Sequence, residues 1–148
     1  MRFILVDDIL ELSPGKHIKA SKAIAVDEDY FRDHFPGFPV VPGVLLTEMM
    51  AQTAGKCLDA EDTARGRPVL AQIKSASFRE WVAPGTTVVM VADIRTSRPQ
   101  YATAECRAEV GGTPVCSAEL LFTFVPKDKF APDYRDEVLE RYLARHRP

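Results

Sequence analysis

Apolar and polar positions alternate, strictly or loosely, through most of this chain, and the alternation lapses once. Ile4 to Leu12 reads as a strand, and Pro14-Gly15 marks a turn after it. From Lys16 to Val26, the residues Ile18, Ala20, Ile24 and Val26 fall on one face, with Lys22 as the exception, and His17, Lys19 and Ser21 on the other. That is a second strand. Asp27-Glu28-Asp29 then opens a short helical turn, because acids favour a helix N-terminus. Later come four strand-like runs, Val69 to Phe78, Thr86 to Thr96, Tyr101 to Val110 and Val115 to Phe124. Pro84-Gly85, Arg98-Pro99 and Gly111-Gly112 separate them, in the pattern of an antiparallel meander. Pro132 to Arg145 reads as a charged tail able to form a helix.

The lapse lies between Val44 and Leu58, which is apolar on nearly every side, as a buried helix is. Pro42-Gly43 opens it, since a proline in the first turn gives up only an N–H that has no intrahelical acceptor. Asp59 to Arg67 is a polar loop. Two strands, one helix apolar all round and four more strands require a sheet that wraps the helix. The expected class is α+β: an antiparallel sheet curled around a central buried helix, the arrangement called a hotdog fold. At 148 residues the chain is read as one such domain from residue 1 to 148, with 126–148 as its tail.

Composition narrows the function. The net charge of −2 leaves no bulk basic field for nucleic acid. The apolar run at the N-terminus stops at Asp7-Asp8, and no stretch approaches the ~20 residues of a membrane span, so a cytoplasmic protein is expected. Cys57, Cys106 and Cys116 form no disulfide framework and have no metal-ligand spacing. They read as small buried apolar side chains; no metal or cofactor is expected. Across a two-residue turn at Gly111-Gly112, Cys106 would oppose Ser117 and the Cys106 and Cys116 thiols would face opposite ways, unless the register slips by one.

The chemistry concentrates between His34 and Gln52. His34 is followed by Pro36, Pro39 and Pro42, each fixing its φ near −65°, so the ring sits in a stiffened loop. Its side chain is of the type that exchanges a proton near neutral pH. His17 and His146 read instead as solvated. Glu48 is the only charged or titratable residue (Asp, Glu, Lys, Arg or His) between His34 and Lys56. A carboxyl in apolar surroundings holds its proton more readily, which suits an acid. Gln52 lies one turn on, placed to bond Glu48 or to be an ordinary satisfied core glutamine. The free N–H groups of Gly43 and Val44 at the helix start can polarise a carbonyl and stabilise an enolate. Base, acid and carbonyl-polarising donors suit proton abstraction alpha to a carbonyl, with water lost or gained at the beta carbon.

The unbroken run H-F-P-G-x-P-V-x-P-G-V-L-x-x-E-x-M-A-Q from His34 to Gln52 resembles the FabZ family, the (3R)-hydroxyacyl-acyl carrier protein dehydratases. Weaker similarity extends over residues 4 to 125, through Ile73-Lys74, Phe78-Arg79, Pro84-Gly85 and Ala118-Glu119-Leu120. The resemblance implies a homodimer, commonly a trimer of dimers, acting on acyl-phosphopantetheine carried by acyl carrier protein. His34 of one protomer would be the base and Glu48 of its partner the acid, with Gly43 supplying an amide to the thioester carbonyl. The acyl chain would run in a tunnel along the helix, its length set by residues such as Phe38, Met49, Met50 and Phe78. Glu48, where the related FabA enzymes carry aspartate, favours plain dehydration. Two departures are Asp33, where the family usually has glycine, and the long segment after Val125. Because the carrier is acidic, Lys74, Arg79, Arg95 and Arg98 are candidates for a basic patch at the tunnel mouth. The alternatives are a hotdog thioesterase and a catalytically weak acyl-binding or assembly subunit.

Overall fold

The computed structural model describes residues 1–61 and 64–146. Asp62 and Thr63 of the expected polar loop, and Arg147 and Pro148 of the tail, lie outside the described residues. Six strands form one antiparallel sheet: β1 (Asp8–Ser13), β2 (His17–Ala23), β3 (Arg67–Phe78), β4 (Thr87–Ser97), β5 (Tyr101–Val110) and β6 (Thr113–Val125). Helix α1 (Gly43–Asp59) lies against it, and α2 (Glu137–Arg145) follows the last strand. The spatial order is β1-β2-β4-β5-β6-β3.

That order corrects the expected four-strand meander. Of those four strands only β4, β5 and β6 are paired consecutively; β3 joins the far edge beside β6, and β4 pairs with β2. The chain between β3 and β4 therefore crosses the sheet. It is fastened where it arrives, by Gly85 N–H to Ile24 O at 2.8 Å and Ile24 N–H to Thr86 O at 2.8 Å. The second strand also ends earlier than the alternation implied. Ile18, Ala20 and Ile24 are buried as expected, but Val26 is 73% exposed, because pairing stops at Ala23 and Val26 lies beyond the strand, beside Gly85 of the crossing.

The sheet's inner face explains why α1 fits. Ala20, Ala92, Ala102, Ala104 and Ala108 are all fully or nearly fully buried. Small side chains in the middle strands leave room for Leu46, Met49, Met50 and Leu58 of the helix, and Phe122 and Met90 fill what remains. The two buried threonines of α1 satisfy their own hydroxyls within the helix. Thr47 Oγ1 donates to Gly43 O at 3.1 Å and Thr53 Oγ1 to Met49 O at 2.8 Å.

A bulge changes the cysteine geometry. Val110 pairs with Thr113 and Glu109 with Pro114, but Ala108 then pairs with Cys116 and Cys106 with Ala118. The extra residue rotates β6 by one position relative to an unbroken two-residue hairpin. Cys106 and Cys116 thus both point into the core, contrary to the opposed orientation expected of the simple turn. All three cysteines are free and buried. Burial pushes the thiols of Cys57 and Cys116 up to about 11 and that of Cys106 to about 12.

At the other edge, β3 has no neighbour beyond it. Residues 71–81, Ile73, Phe78 and Trp81 among them, are exposed. After β6 the chain turns back: Val138 and Leu139 of α2 enter the core, and Arg141 reaches the residue before β1, donating to Asp7 O at 2.6 Å.

Candidate functional site

The His34 loop is built from short local bonds. Tyr30, in the 3-10 turn Asp29–Arg32, accepts from His34 N–H at 3.0 Å. Phe35 and Phe38 exchange both backbone hydrogen bonds at 2.8 Å around Pro36-Gly37. Gly37 has φ +77°, the left-handed position that follows proline in a type II turn. The His34–Phe35 peptide is cis. Val40 then meets His34 twice: its N–H donates to His34 O at 3.1 Å, and its carbonyl accepts from His34 Nδ1 at 3.1 Å. A carbonyl only accepts, so Nδ1 carries the proton and neutral His34 presents a bare Nε2. The ring is half-buried and stacks on Phe35 at 3.9 Å between centroids. Val41 N–H to Val82 O, 2.9 Å, pins the loop to the crossing between β3 and β4. There Phe38 meets Trp81 edge-on at 5.5 Å, and both rings are exposed.

The chain turns into α1 two residues later. Pro42 O accepts from Leu45 and Leu46, while the N–H groups of Gly43 and Val44 have no acceptor among the described residues. A Cβ at Gly43 would stand 3.1 Å from the Phe78 ring, so the missing side chain lets that ring lie on the helix start. Val44 is 77% exposed.

Glu48 lies one turn further on and is half-buried. Its Oε2 accepts from Gln52 Nε2 at 3.0 Å. Gln52 is itself held twice by the N-terminal segment: Oε1 accepts from Leu5 N–H at 2.8 Å, and Nε2 donates to Phe3 O at 3.1 Å. Leu5 N–H can only donate, so it fixes which end of the amide faces Glu48. Both readings of Gln52, partner of Glu48 and satisfied core amide, describe the same side chain.

Glu48 and Gln52 face a cavity of about 1280 Å³ that also borders Met49 and Lys56 of α1, the N-terminal segment, the start of β3 and the chain after β6. His34 does not line it. His34 and Glu48 of one chain thus do not share that cavity, and one is held by Val40 and the other by Gln52. Tyr30, on the cavity wall, has its phenol pushed up to about 12 by burial.

Several charged side chains that sequence reasoning passed over are placed here. Lys56 is buried and donates to Asp136 Oδ2 at 3.0 Å; Arg67 donates to Asp59 Oδ2 at 2.8 Å. Burial raises the proton affinity of Asp59, and Arg67 opposes that shift. The signal for Lys56 was its position, two turns after Glu48 on an apolar helix. Its partner lies 80 residues away, out of reach of any local pattern.

Away from the cavity, His17 is not the solvated residue expected. Its Nδ1 meets Asp93 Oδ1 at 2.7 Å and its Nε2 meets Glu11 Oε1 at 2.8 Å, so the two carboxylates raise its pKa, Asp93 the more. His146 stacks on Tyr142 and stays exposed. Of the four basic candidates, Arg95 donates to Glu105 and Lys74 stands 4.0 Å from Glu119. The side chains of Arg79 and Arg98 have no ion pair among the described residues.

Known proteins match this arrangement. A family model described as a FabA-like domain covers residues 1–119. The 3-hydroxyacyl-[acyl-carrier-protein] dehydratase FabZ of Clostridioides difficile is 38% identical over 126 residues, 84% of this chain and 89% of that protein. The FabZ of Levilactobacillus brevis is 36% identical over 126 residues, 84% and 85% of the two chains. Among solved structures, the dehydratase heterocomplex ApeI:P from Xenorhabdus doucetiae superposes with a TM-score of 0.68 at 14% identity, over 85% of this chain and 86% of that one. The fluoroacetyl-CoA thioesterase FlK superposes with a TM-score of 0.66 at 12% identity, over 93% and 99%. Such distant structural likenesses establish the hotdog fold and nothing finer, whereas the sequence match runs through the His34 loop, Glu48 and Gln52 together. This chain belongs to the FabA-like family and, within it, groups with the FabZ dehydratases.

Proposed function

We propose that this protein dehydrates 3-hydroxyacyl thioesters on acyl carrier protein to trans-2-enoyl thioesters, in fatty acid or related lipid or polyketide synthesis. The observation that carries the reading is the Val40 carbonyl on His34 Nδ1, which leaves Nε2 as the ring's free nitrogen in the loop that leads into the open helix start. The thioester carbonyl would accept from the N–H groups of Gly43 and Val44, where the helix dipole favours negative charge. His34 Nε2 would take the proton from C2, and the enolate would form against those donors. Glu48 would give a proton to the C3 hydroxyl as it leaves as water, with Gln52 holding the carboxyl. Phe38 would flank the entering pantetheine arm.

His34 does not line the cavity that Glu48 lines, so in this reading the site is completed by a second copy of the chain: His34 of one protomer with Glu48 of its partner. The exposed edge of β3, with Ile73 along it, and the exposed apolar side chains of Val44, Phe78 and Trp81 support such a partner. Pairs of this kind would assemble further into a trimer of dimers. Arg79, next to the Phe78 ring at the helix start, is the favoured contact for the acidic carrier protein. No helix among the described residues is long and apolar enough to cross a membrane, which suits a cytoplasmic enzyme.

The test is enoyl absorbance on a 3-hydroxybutyryl-carrier thioester. His34→Ala and Glu48→Gln should each abolish turnover while leaving the folded assembly intact. Mixed dimers of the two variants should recover activity, because one of their two sites then carries neither change. Inactive mixtures would place the site within one chain, and thiol release without enoyl product would make the protein a thioesterase.

A further inference from the structure

The chain after β6 lies beyond the family-matched residues 1–119, yet it builds one wall of the cavity that Glu48 faces. Phe130, Tyr134, Asp136, Val138 and Arg141 all border that space. The segment is fastened: Val138 and Leu139 are in the core, and Asp136 uses both carboxylate oxygens. Oδ1 caps α2 by accepting from Leu139 N–H at 3.0 Å, and Oδ2 accepts from buried Lys56.

Along α1, the residues Glu48, Gln52, Lys56 and Asp59 follow one another at helical spacing on the cavity side. The chemistry changes along that line. At its far end stand two ion pairs, Lys56–Asp136 and Arg67–Asp59, and the Arg67 guanidinium lies 4.6 Å over the Tyr134 ring. Eight residues separate Glu48 from Lys56, roughly 12 Å of helix at 1.5 Å per residue. An extended chain advances about 1.2 Å per bond, so about ten bonds span that distance. A longer alkyl chain would have to part or desolvate the two pairs and could offer them no polar replacement.

We propose that the C-terminal segment, latched to α1 by the Lys56–Asp136 pair, ends the acyl cavity and sets an upper limit on chain length at medium chains. The inference names the substrate range of the proposed dehydratase and rests on that reading.

The experiment is a series of 3-hydroxyacyl thioesters from four to sixteen carbons, read both as kcat/KM on carrier protein and as calorimetric affinity for the pantetheine thioesters. For the unaltered protein, both quantities should fall at least tenfold between the eight- and sixteen-carbon members. The double variant Lys56→Met/Asp136→Asn removes both charges and keeps a capping oxygen, because asparagine caps as well as aspartate. It should bind and turn over the sixteen-carbon substrate at least tenfold better, with the four-carbon substrate changed less than twofold. Tyr134→Ala, at a half-exposed ring, should move the profile the same way. A flat profile in the unaltered protein, or a limit unmoved in both folded variants, overturns the proposal. Absent turnover at every length strikes the dehydratase reading alone, and the affinity profile then decides the limit.

Discussion

Gln52 shows how much a single side chain fixes here. Its carbonyl oxygen is committed to Leu5 N–H, so its amide N–H groups must point to Phe3 O and Glu48. Glu48 is thereby anchored to the N-terminal segment as well as to its own helix. Gln52→Ala should lower kcat by about 10²-fold, the scale of a misplaced catalytic group, with KM little changed. It should also cost ~1–3 kcal/mol in urea unfolding, because Leu5 N–H loses its acceptor. Equal kcat in the variant would mean that Glu48 needs no positioning. Some of this was legible in the sequence, where Glu48 and Gln52 stand one turn apart. The identity of the third partner was not, since Leu5 lies 47 residues from Gln52 and bonds it through its backbone. Lys56 was passed over for the same reason. A lone lysine in an apolar run has no readable meaning until the distant carboxylate it meets is known.

The elements follow the hydrophobic pattern closely in type and less closely in pairing. Helix α1 begins at Gly43, as Pro42 dictates, and each of the six strands overlaps a run that the alternation picks out. Partners are another matter, because alternation says which face is buried and nothing of which edge is joined. That is why β3 was placed beside β4 and lies beside β6. The register of the β5–β6 hairpin was left open to a one-residue slip, because Gly111-Gly112 is sufficient for an unbroken hairpin and does not reveal a bulge. Helix α2 lies within the charged tail that was read as able to form a helix, and Asp136 before Val138-Leu139 is the capping signal that sets its start. Its substitution separates two roles. Asp136→Ala removes the cap and strands Lys56, for a loss of ~2–4 kcal/mol. Asp136→Asn retains the cap and should be milder by about 1 kcal/mol, read as the difference in denaturation midpoint. Identical midpoints would deny Asp136 its capping role.

On the scale of the whole molecule, the proposed dimer would account at once for the exposed β3 edge and for the separation of His34 from Glu48. A sheet left open at β3, with Ile73 half-exposed and Phe78 and Trp81 exposed further along, would be covered by pairing with its own copy, as proposed. The same pairing would bring together the two halves of the site. Ile73→Asp should therefore drive the assembly toward monomer in sedimentation and abolish turnover together, while the far-ultraviolet circular dichroism is retained. An active monomer would separate assembly from chemistry.

The bulge that turns Cys116 onto the same face as Cys106 makes the molecule its own reporter. All three sulfurs are sealed in the core and held as thiols far above neutral pH, so a water-soluble thiol reagent finds nothing to attack while the sheet is closed. Each sulfur becomes countable only when its strand or helix lifts away. Cys57 reports on α1, and the other two report on the β5–β6 hairpin. The pace of labelling in native buffer then measures how often each part of the protein breathes open, with no label engineered in.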